Sequence, residues 1–574
     1  MAEEKWMLQT KRADFEEMAR CHHITPVTAR IIRNRDVMGQ EAVEKYLKGG
    51  LKDLYSPHLL KDMDRTVTIL KEKKEQLKPI RIVGDYDIDG VCSTYLLYQA
   101  LSQVGAVVDY EIPDRLKDGY GINESIIRAA AADGIDTILT CDNGIAAVEQ
   151  IKLAKELGLT VLITDHHDIM KEAGREILPP ADAVVNPKQE DCQYPFPDIC
   201  GGMVAYKLVQ ALYEAFDVPM EKWLEMVEFA AIATVGDVMK LQDENRIIVK
   251  EGLNRIGQTK SLGLLKLIER NDLDKDQITA YHIGFVIGPC LNAGGRLQTA
   301  KLALSLLLSR EEEEADQMAL ELKVLNDQRK DMTKQGTSEA VEQVEALYRE
   351  DKVLVVYLPE CHESLAGIIA GRLREYFQKP AFVLTDGEES VKGSGRSIET
   401  YHMFDALVEV KELLLKFGGH PMAAGLSLPK ENVDKFRKCL NEQARLTDED
   451  FIRKVWIDVP MPLEYINEPL IEELELLEPF GQGNEKPLFA QKGLNIRSVR
   501  VLGKKRNAVK FSLATDQGTP MDAMMFADGD SFLEELGDSR VLDVIYYPAV
   551  NVYNGNKNLQ IVIRNYKIPK SLAK

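Results

Sequence analysis

The sequence predicts an α/β protein of two α/β lobes joined by a long helix, with a C-terminal β-barrel of the OB type. Three observations carry this. Between Pro79 and about Leu241, short β-branched runs alternate with stretches of helical spacing, the pattern of βαβ units on a parallel sheet. Residues 310–349 keep a charged helical pattern without a break. From about Lys454 the chain becomes β-rich, and five short strands in roughly 80 residues suit a small barrel.

Taken in order, residues 1–75 are expected as an N-terminal helical extension. Residues 76–309 form the first lobe, with strands at Ile80–Gly84, Thr137–Cys141 and Thr160–Thr164 and helices at Ser93–Val104 and Ile145–Leu157. In parallel sheets the ligand site lies beyond the carboxyl ends of the strands. Those ends carry Asp85-Tyr86-Asp87-Ile88-Asp89-Gly90, Asp142-Asn143-Gly144 and Asp165-His166-His167. Residues 310–349 are the connecting helix, with Met318, Leu322, Leu325 and Met332 as its apolar stripe. The Glu311–Glu314 run is a solvated start, where negative charge suits the helix dipole. Residues 350–450 form the second lobe: a strand at Lys352–Tyr357, a helix at Leu365–Phe377, and a strand at Ala381–Leu384. Two glycine-rich segments, Lys392–Ser397 and Phe417–Gly425, read locally as turns. Residues 451–574 supply barrel strands at Leu494–Leu502, Ala508–Ala514, Met521–Phe526, Val541–Val552 and Leu559–Ile568. The last two are joined by a hairpin over Tyr553-Asn554-Gly555-Asn556-Lys557.

Composition bounds the function. With 72 basic against 92 acidic side chains, a formal charge of −20 and 45% hydrophobic residues, the 574-residue chain is globular, and a non-specific nucleic-acid coat protein is disfavoured. Its eight cysteines are scattered without a CxxC pair, which argues for reduced thiols in a cytoplasm and against a disulfide framework or a zinc–thiolate site. No apolar run is long enough to span a membrane, and Met-Ala-Glu-Glu-Lys-Trp lacks the pattern of a secretory signal.

The chemistry sits in the acidic motifs. Three aspartates alternating at a strand end repel one another, and divalent cations remove that cost. A solvated turn is the plain alternative. An EF-hand loop fails because Leu96 stands where the twelfth-position glutamate belongs. Carboxylates with histidines suit Mn²⁺ or Mg²⁺, and Asp142 with Asp165-His166-His167 at neighbouring strand ends strengthens the metal reading. Asp237 is the sole charge in Phe229–Val238; it is either a helix cap or a further ligand.

Together these segments resemble the four motifs of the DHH phosphoesterase superfamily, and Gly393-Ser394-Gly395-Arg396-Ser397 with Gly418-Gly419-His420 resembles its DHHA1 domain. Asn292-Ala293-Gly294-Gly295-Arg296-Leu297 and Leu477-Glu478-Pro479-Phe480-Gly481-Gln482-Gly483-Asn484 narrow the similarity to the RecJ family of single-strand-specific exonucleases, over residues 25 to 568. The resemblance implies a cytoplasmic, monomeric enzyme that degrades single-stranded DNA 5′→3′ to 5′-mononucleotides in recombination and repair. Two Mn²⁺ or Mg²⁺ ions would serve each site, and a single-strand-binding protein and a helicase would be its partners. The metal set would be Asp85, Asp87, Asp89, Asp142, His166 and Asp237, with Asp142 bridging. His167 would contact phosphate or act as general acid, and Asp165 would be a ligand or an orienting partner. Arg296, Ser394, Arg396, Ser397, Gly418, Gly419 and His420 would bind substrate phosphates. One segment departs from the family pattern: Glu360-Cys361-His362-Glu363-Ser364 replaces a Pro-Gly-type turn, and His362 reads as an exposed turn residue.

The barrel carries the polymer-binding signal. Gln491–Ser512 contains Lys492, Arg497, Arg500, Lys504, Lys505, Arg506 and Lys510 with no acid, a stripe suited to a nucleic-acid backbone. Phe511, Tyr546, Tyr547 and Tyr553 either stack bases or fill the barrel core. Two rival functions remain: a DHH phosphodiesterase of oligoribonucleotides or cyclic dinucleotides, which needs no barrel, and a non-catalytic RecJ-like replication scaffold, which would lack ligand positions retained here.

Overall fold

The computed structural model describes residues 4–115, 119, 121–515, 518, 520–553 and 556–569. The first lobe is built on a five-stranded, wholly parallel sheet. Its strands are β1 (Ile80–Val83), β2 (Val108–Glu111), β3 (Thr137–Cys141), β4 (Thr160–Thr164) and β5 (Ala183–Val185), in the order β2-β1-β3-β4-β5. The central runs are β-branched because both faces are covered, each by its own apolar cluster. Helix α1 (Ile88–Gln103) leaves β1, and α2 (Gly201–Ala215) and α3 (Val227–Gly236) pack against it. Helix α3 is apolar on all sides and buried over most of its length, as a core helix must be. Helix α4 (Gly288–Leu297) closes the lobe.

Helix α5 (Glu312–Gln343) joins the lobes, and its 32 residues span about 48 Å. Its expected stripe is corrected in part. Leu322 and Leu325 are buried, but Met332 is 40% exposed. The covered face continues instead through Asn326, Thr333, Gly336 and Ala340. Small residues there admit the second lobe, whose Ile369 packs on Gly336.

The second lobe is a five-stranded mixed sheet in the order β9-β10-β8-β7-β6. Its elements are β6 (Leu354–Tyr357), α6 (Ala366–Phe377), β7 (Ala381–Asp386), β8 (Val391–Arg396), β9 (Lys416–His420) and β10 (Ala423–Leu428). The glycine-rich segments are therefore strands and not turns. A Cβ at Gly393 would lie 2.4 Å from Leu384, so the absent side chain is what lets the core fill from the neighbouring strands.

The barrel closes through β11 (Phe489–Leu502), β12 (Ala508–Ala514), β13 (Pro520–Met525), β14 (Val541–Tyr553) and β15 (Asn556–Lys567). β11 pairs with both β12 and β14, and β15 lies between β13 and β14, the closure of an OB barrel. Phe511 and Tyr546 are core residues, 1% and 0% exposed, which settles them against base stacking; Tyr547 is half-buried. The hairpin tip at Asn554-Gly555 and the Tyr553 side chain lie outside the described residues.

The N-terminal extension is not purely helical. Glu4–Leu8 is a strand paired in parallel with Arg453–Ile457. Ile31, Ile32, Val43, Tyr46 and Leu47, on the helices that follow, share a core with the barrel residues Phe489 and Tyr546. Arg35 grips Asp458 through two bonds of 2.7 and 3.1 Å, both side chains 6% exposed. The chain is thereby closed on itself, first segment to last. Among the described residues no helix is long and apolar enough to cross a membrane.

Candidate metal centre and facing cleft

The parallel strands deliver their polar residues to one edge while still bound to the ladder. The Gly84 amide donates to the Glu111 carbonyl, Asp142 to Thr164 and Asp165 to Val185, each at 3.0 Å. Asp87 caps α1, its Oδ1 accepting from the Asp89 and Gly90 amides at 2.9 and 3.2 Å. Asp89 in turn accepts from the Gly201 and Gly202 amides, 2.7 Å each, at the electropositive start of α2. Asp142 is held in the left-handed region at φ +60°, and a Cβ on Gly201 would stand 2.6 Å from its side chain. Only glycine lets α2 begin so close to that carboxylate.

Asp237 ends α3, where the helix dipole repels a carboxylate, so the helix-cap reading offers it no stabilisation. His166 Nε2 lies 3.1 Å from Asp142, 3.6 Å from Asp89 and 3.8 Å from Asp237. His167 Nδ1–H donates to Asp165 Oδ1, 2.7 Å away. Asp165 Oδ1 also receives the His166 and His167 amides at 2.7 and 3.1 Å, and its Oδ2 the Ile145 amide at 2.9 Å. Asp165 is thereby anchored on both oxygens by N–H groups, as Asp89 is, and it holds the two histidines in place.

The electrostatics require positive charge. Burial, then repulsion from Asp87, holds the Asp85 carboxyl well above its usual range, and burial followed by Asp89, Asp87 and Asp85 does the same to Asp142. Burial and then Asp89 push Asp87 up as well, and Asp237 is pushed to about 8 by burial and then by Asp89 and Asp87. Burial lowers His166, which is thus neutral near pH 7. Burial opposes the His167 imidazolium too, but Asp165 outweighs it and holds that pKa up at about 9.

The donor atoms of Asp85, Asp87 and Asp142 lie within 4.8 Å of one another, as do those of Asp89, His166 and Asp237 and those of Asp142, His166 and His167. These adjoining triads share Asp142 and His166. The fit to divalent cations is direct: Asp85 Oδ1 is buried with no hydrogen-bond partner among the described residues, and His166 turns Nε2 toward Asp142, Asp89 and Asp237. The nearby thiols of Cys92, Cys141 and Cys200 are buried and pushed up, so the donor set is oxygen and imidazole, suited to Mn²⁺ or Mg²⁺.

The second lobe faces this edge across a cleft. Ser394 and Gly418 line a cavity of about 400 Å³ with Arg115 of the first lobe. Arg296 donates to the Ser364 carbonyl at 3.0 Å, joining the lobes, and burial followed by Arg115 lowers its pKa to about 10. Arg396 is half-buried, donating at 2.8 Å to the Gly395 carbonyl. Gly419 adopts φ +152°, where a Cβ would lie 2.4 Å from the Ala423 carbonyl oxygen. His420 is exposed beside Asp168, whose carboxyl is depressed by Lys188 and further by His420.

Two expectations are corrected. Ser397 is fully buried, its hydroxyl donating to the Tyr401 carbonyl at 2.6 Å, so it is committed to the fold. His362 is no free turn residue; it caps the following turn by accepting from the Ser364 amide, which fixes the Ser364 carbonyl that Arg296 reads.

Sequence reasoning missed several residues. Asn292 accepts from the Ile88 amide at 2.7 Å and so fixes the start of α1. Gly201-Gly202 before a helical run was a usable signal for an anion-binding helix start. Arg115, 5.0 Å from the centre of the Tyr86 ring, is a basic loop residue outside every motif. In the barrel stripe, Lys504 and Lys505 are exposed, but Arg506 is forked onto Asp530 and Lys510 pairs with Asp522 at 3.0 Å.

Family models match three stretches: the DHH family N-terminal domain at residues 79–234, the DHHA1 domain at 350–446 and the RecJ OB domain at 457–565. The chain is 37% identical over 566 residues to the single-stranded-DNA-specific exonuclease RecJ of Bacillus subtilis, covering 98% of this chain and 70% of that one. It superposes on RecJ of Thermus thermophilus in complex with Mn²⁺ at a TM-score of 0.84 and 28% identity, covering 99% of this chain and 80% of that one. The Mg²⁺ complex of the same protein gives 0.78 at 28% identity, covering 99% and 79%.

Proposed function

The chain belongs to the RecJ family of single-stranded-DNA-specific exonucleases, and on that premise we propose that it hydrolyses single-stranded DNA from the 5′ end to 5′-mononucleotides, using two Mn²⁺ or Mg²⁺ ions. The observation that carries the reading is the set of three overlapping triads that share Asp142 and His166. Asp85, Asp87 and Asp142 would hold one cation, and Asp89, His166 and Asp237 the other, with Asp142 between them. Cations so held supply an activated water and stabilise the leaving oxygen of an in-line phosphodiester displacement.

The chain's own groups do the rest. His167 keeps its proton through neutral pH; with Nδ1 on Asp165, its Nε2–H is directed to a phosphate oxygen or to the departing 3′ oxygen. Arg296, Arg396, Ser394, the Gly418 backbone and His420 would bind the terminal phosphates, with Arg115 added from the first lobe. Arginine forks and bare backbone amides match the oxygens of a phosphate. The cleft between two lobes tied by Arg296 and Ser364 is the reason a flexible single strand would be accepted and a duplex refused. The barrel distinguishes this reading from a phosphodiesterase of very small substrates, and the retained carboxylates distinguish it from a non-catalytic scaffold.

A cytoplasmic monomer acting in recombination and repair, with a single-strand-binding protein and a helicase as partners, completes the proposal. The test is digestion of end-labelled single-stranded DNA and RNA with Mn²⁺ or Mg²⁺, comparing blocked 5′ and 3′ ends. Degradation that a 5′ block leaves untouched would refute the polarity.

A further inference from the structure

Asp237 ends α3, and the chain leaves it through a strained turn. The next residue, Val238, has a φ of +56°, in the left-handed region. A β-branched residue is an outlier there, and it persists only where the surroundings fix the backbone. Val238 is 66% exposed, so its own side chain supplies little of that hold.

The hold comes from two directions. The loop 477–484, which leads into the barrel, reaches back over the segment that follows Val238. The Leu241 amide donates to the Gln482 carbonyl at 2.8 Å, and a Cβ on Gly481 would stand 2.7 Å from the buried Leu241 side chain. Asn484 keeps the loop in shape: it donates to the Leu477 and Pro479 carbonyls at 2.8 Å each and accepts from the Tyr46 hydroxyl at 2.7 Å. From inside the first lobe, the fully buried Asn245 donates through Nδ2 to the Lys240 carbonyl at 3.1 Å and to the Asp198 carbonyl at 2.7 Å. Asp198 stands three residues before Gly201, whose amide holds Asp89. One side-chain amide therefore ties the segment that carries Asp237 to the segment that grips Asp89.

We propose that the loop 477–484 and Asn245 are positioning elements for the cation site of Asp89, His166 and Asp237: the seated loop keeps Val238 in its left-handed turn and thereby aims the Asp237 carboxylate. This role rests on the cation reading of that triad. The lead-in to the barrel then acts on the metal centre without touching it. Such linkage is reciprocal: loosening the loop weakens one cation, and that cation tightens the loop.

The test is Mn²⁺ titration of the full-length chain, stripped of metal and free of DNA, followed by calorimetry and electron paramagnetic resonance. The wild type should bind two ions. G481A, whose added methyl meets Leu241, should bind one ion at least about tenfold more weakly and the other within about twofold of the wild type. Y46F removes one hydrogen bond from the loop and should weaken the same ion about threefold; it decides the matter alone where G481A does not fold. Asparagine accepts the left-handed region, so G481A/V238N should recover most of the lost affinity, a rescue that a purely structural role of the loop would not give. Hydrolysis by G481A should need more Mn²⁺ for its half-maximal rate and return close to the wild-type rate at saturation. In the wild type, Mn²⁺ should slow amide exchange at Leu241 and in the loop 477–484 at least about fivefold, and D237N should lose that protection. Equal weakening of both ions in Y46F, or a wild-type isotherm in Y46F and G481A alike, would overturn the positioning role. A wild type that binds a single ion would sink the cation reading of the triad itself.

Discussion

Replacing Asp237 with Asn should stabilise the metal-free protein at alkaline pH and remove much of its pH dependence. The Asp237 carboxyl is pushed from 3.8 to about 8, by burial first and then by Asp89 and Asp87. Between those values the folded state keeps a proton that the unfolded chain releases. Stability contributed by this group therefore falls as pH rises from about 4 to about 8, and the whole penalty is present above pH 8. At about 1.4 kcal/mol per pH unit the ionisation costs at most about 6 kcal/mol. The side chain keeps 30% of its surface in water, and screening reduces the expectation to about 2–3 kcal/mol. For a lobe of this size that is a rise of about 5–10 °C in the unfolding midpoint of the variant at pH 9, shrinking toward pH 6. Calorimetry in EDTA at both pH values measures it. Excess Mn²⁺ should reverse the order, because the wild type, with its full ligand set, gains more binding energy in the folded state than the variant. A variant with the same midpoint and the same pH slope as the wild type would refute the reasoning.

Four further outcomes are expected. Asp142→Ala should abolish hydrolysis, by at least about a thousandfold at saturating Mn²⁺, while circular dichroism stays unchanged; near-normal turnover would remove Asp142 from the centre. With His167 acting as a proton donor, hydrolysis should fall as pH rises through about 9, and His167→Gln should lose that limb along with most of the rate. Lower salt should tighten duplex binding without creating blunt-end cleavage, since electrostatics raise affinity but do not widen the cleft; digestion of a blunt, non-fraying duplex would show an open site. Arg35→Ala should cost about 3–5 kcal/mol in chemical denaturation and speed proteolytic release of the barrel, because Asp458 is left buried and unpaired.

That last contact shows why simple deletion of the barrel is not a clean experiment. Cutting after Arg453 would strip the partner strand from Glu4–Leu8 and uncover Ile31, Ile32 and Leu47. Nothing in the local sequence announces this, because an amphipathic helix displays its apolar face without saying which distant surface will cover it. The same holds for the glycine-rich segments. Glycine reads locally as a turn, yet in β8 to β10 it opens space that Leu384 and Leu426 fill from neighbouring strands.

What was legible from residues alone depends on short-range physics. The β-branched runs of β1, β3 and β4, the carboxylates at their ends, and the period of α5 are written within a few residues of one another, and the parallel topology then sends them all to one edge. Roles that depend on what a side chain meets across the fold were decided only by tertiary structure. Asp165 is tied to both histidines and to the loop after the third strand because Ile145 and two histidine amides donate to its oxygens. Ser397 is internal because Tyr401 takes its hydroxyl, and Arg506 is neutralised because Asp530 lies opposite. Arg115 and Gly201 are placed by partners far away in the chain, at Tyr86 and Asp142. Charge and hydrogen-bonding capacity belong to a residue; whether they remain free to act is a property of its neighbours in space.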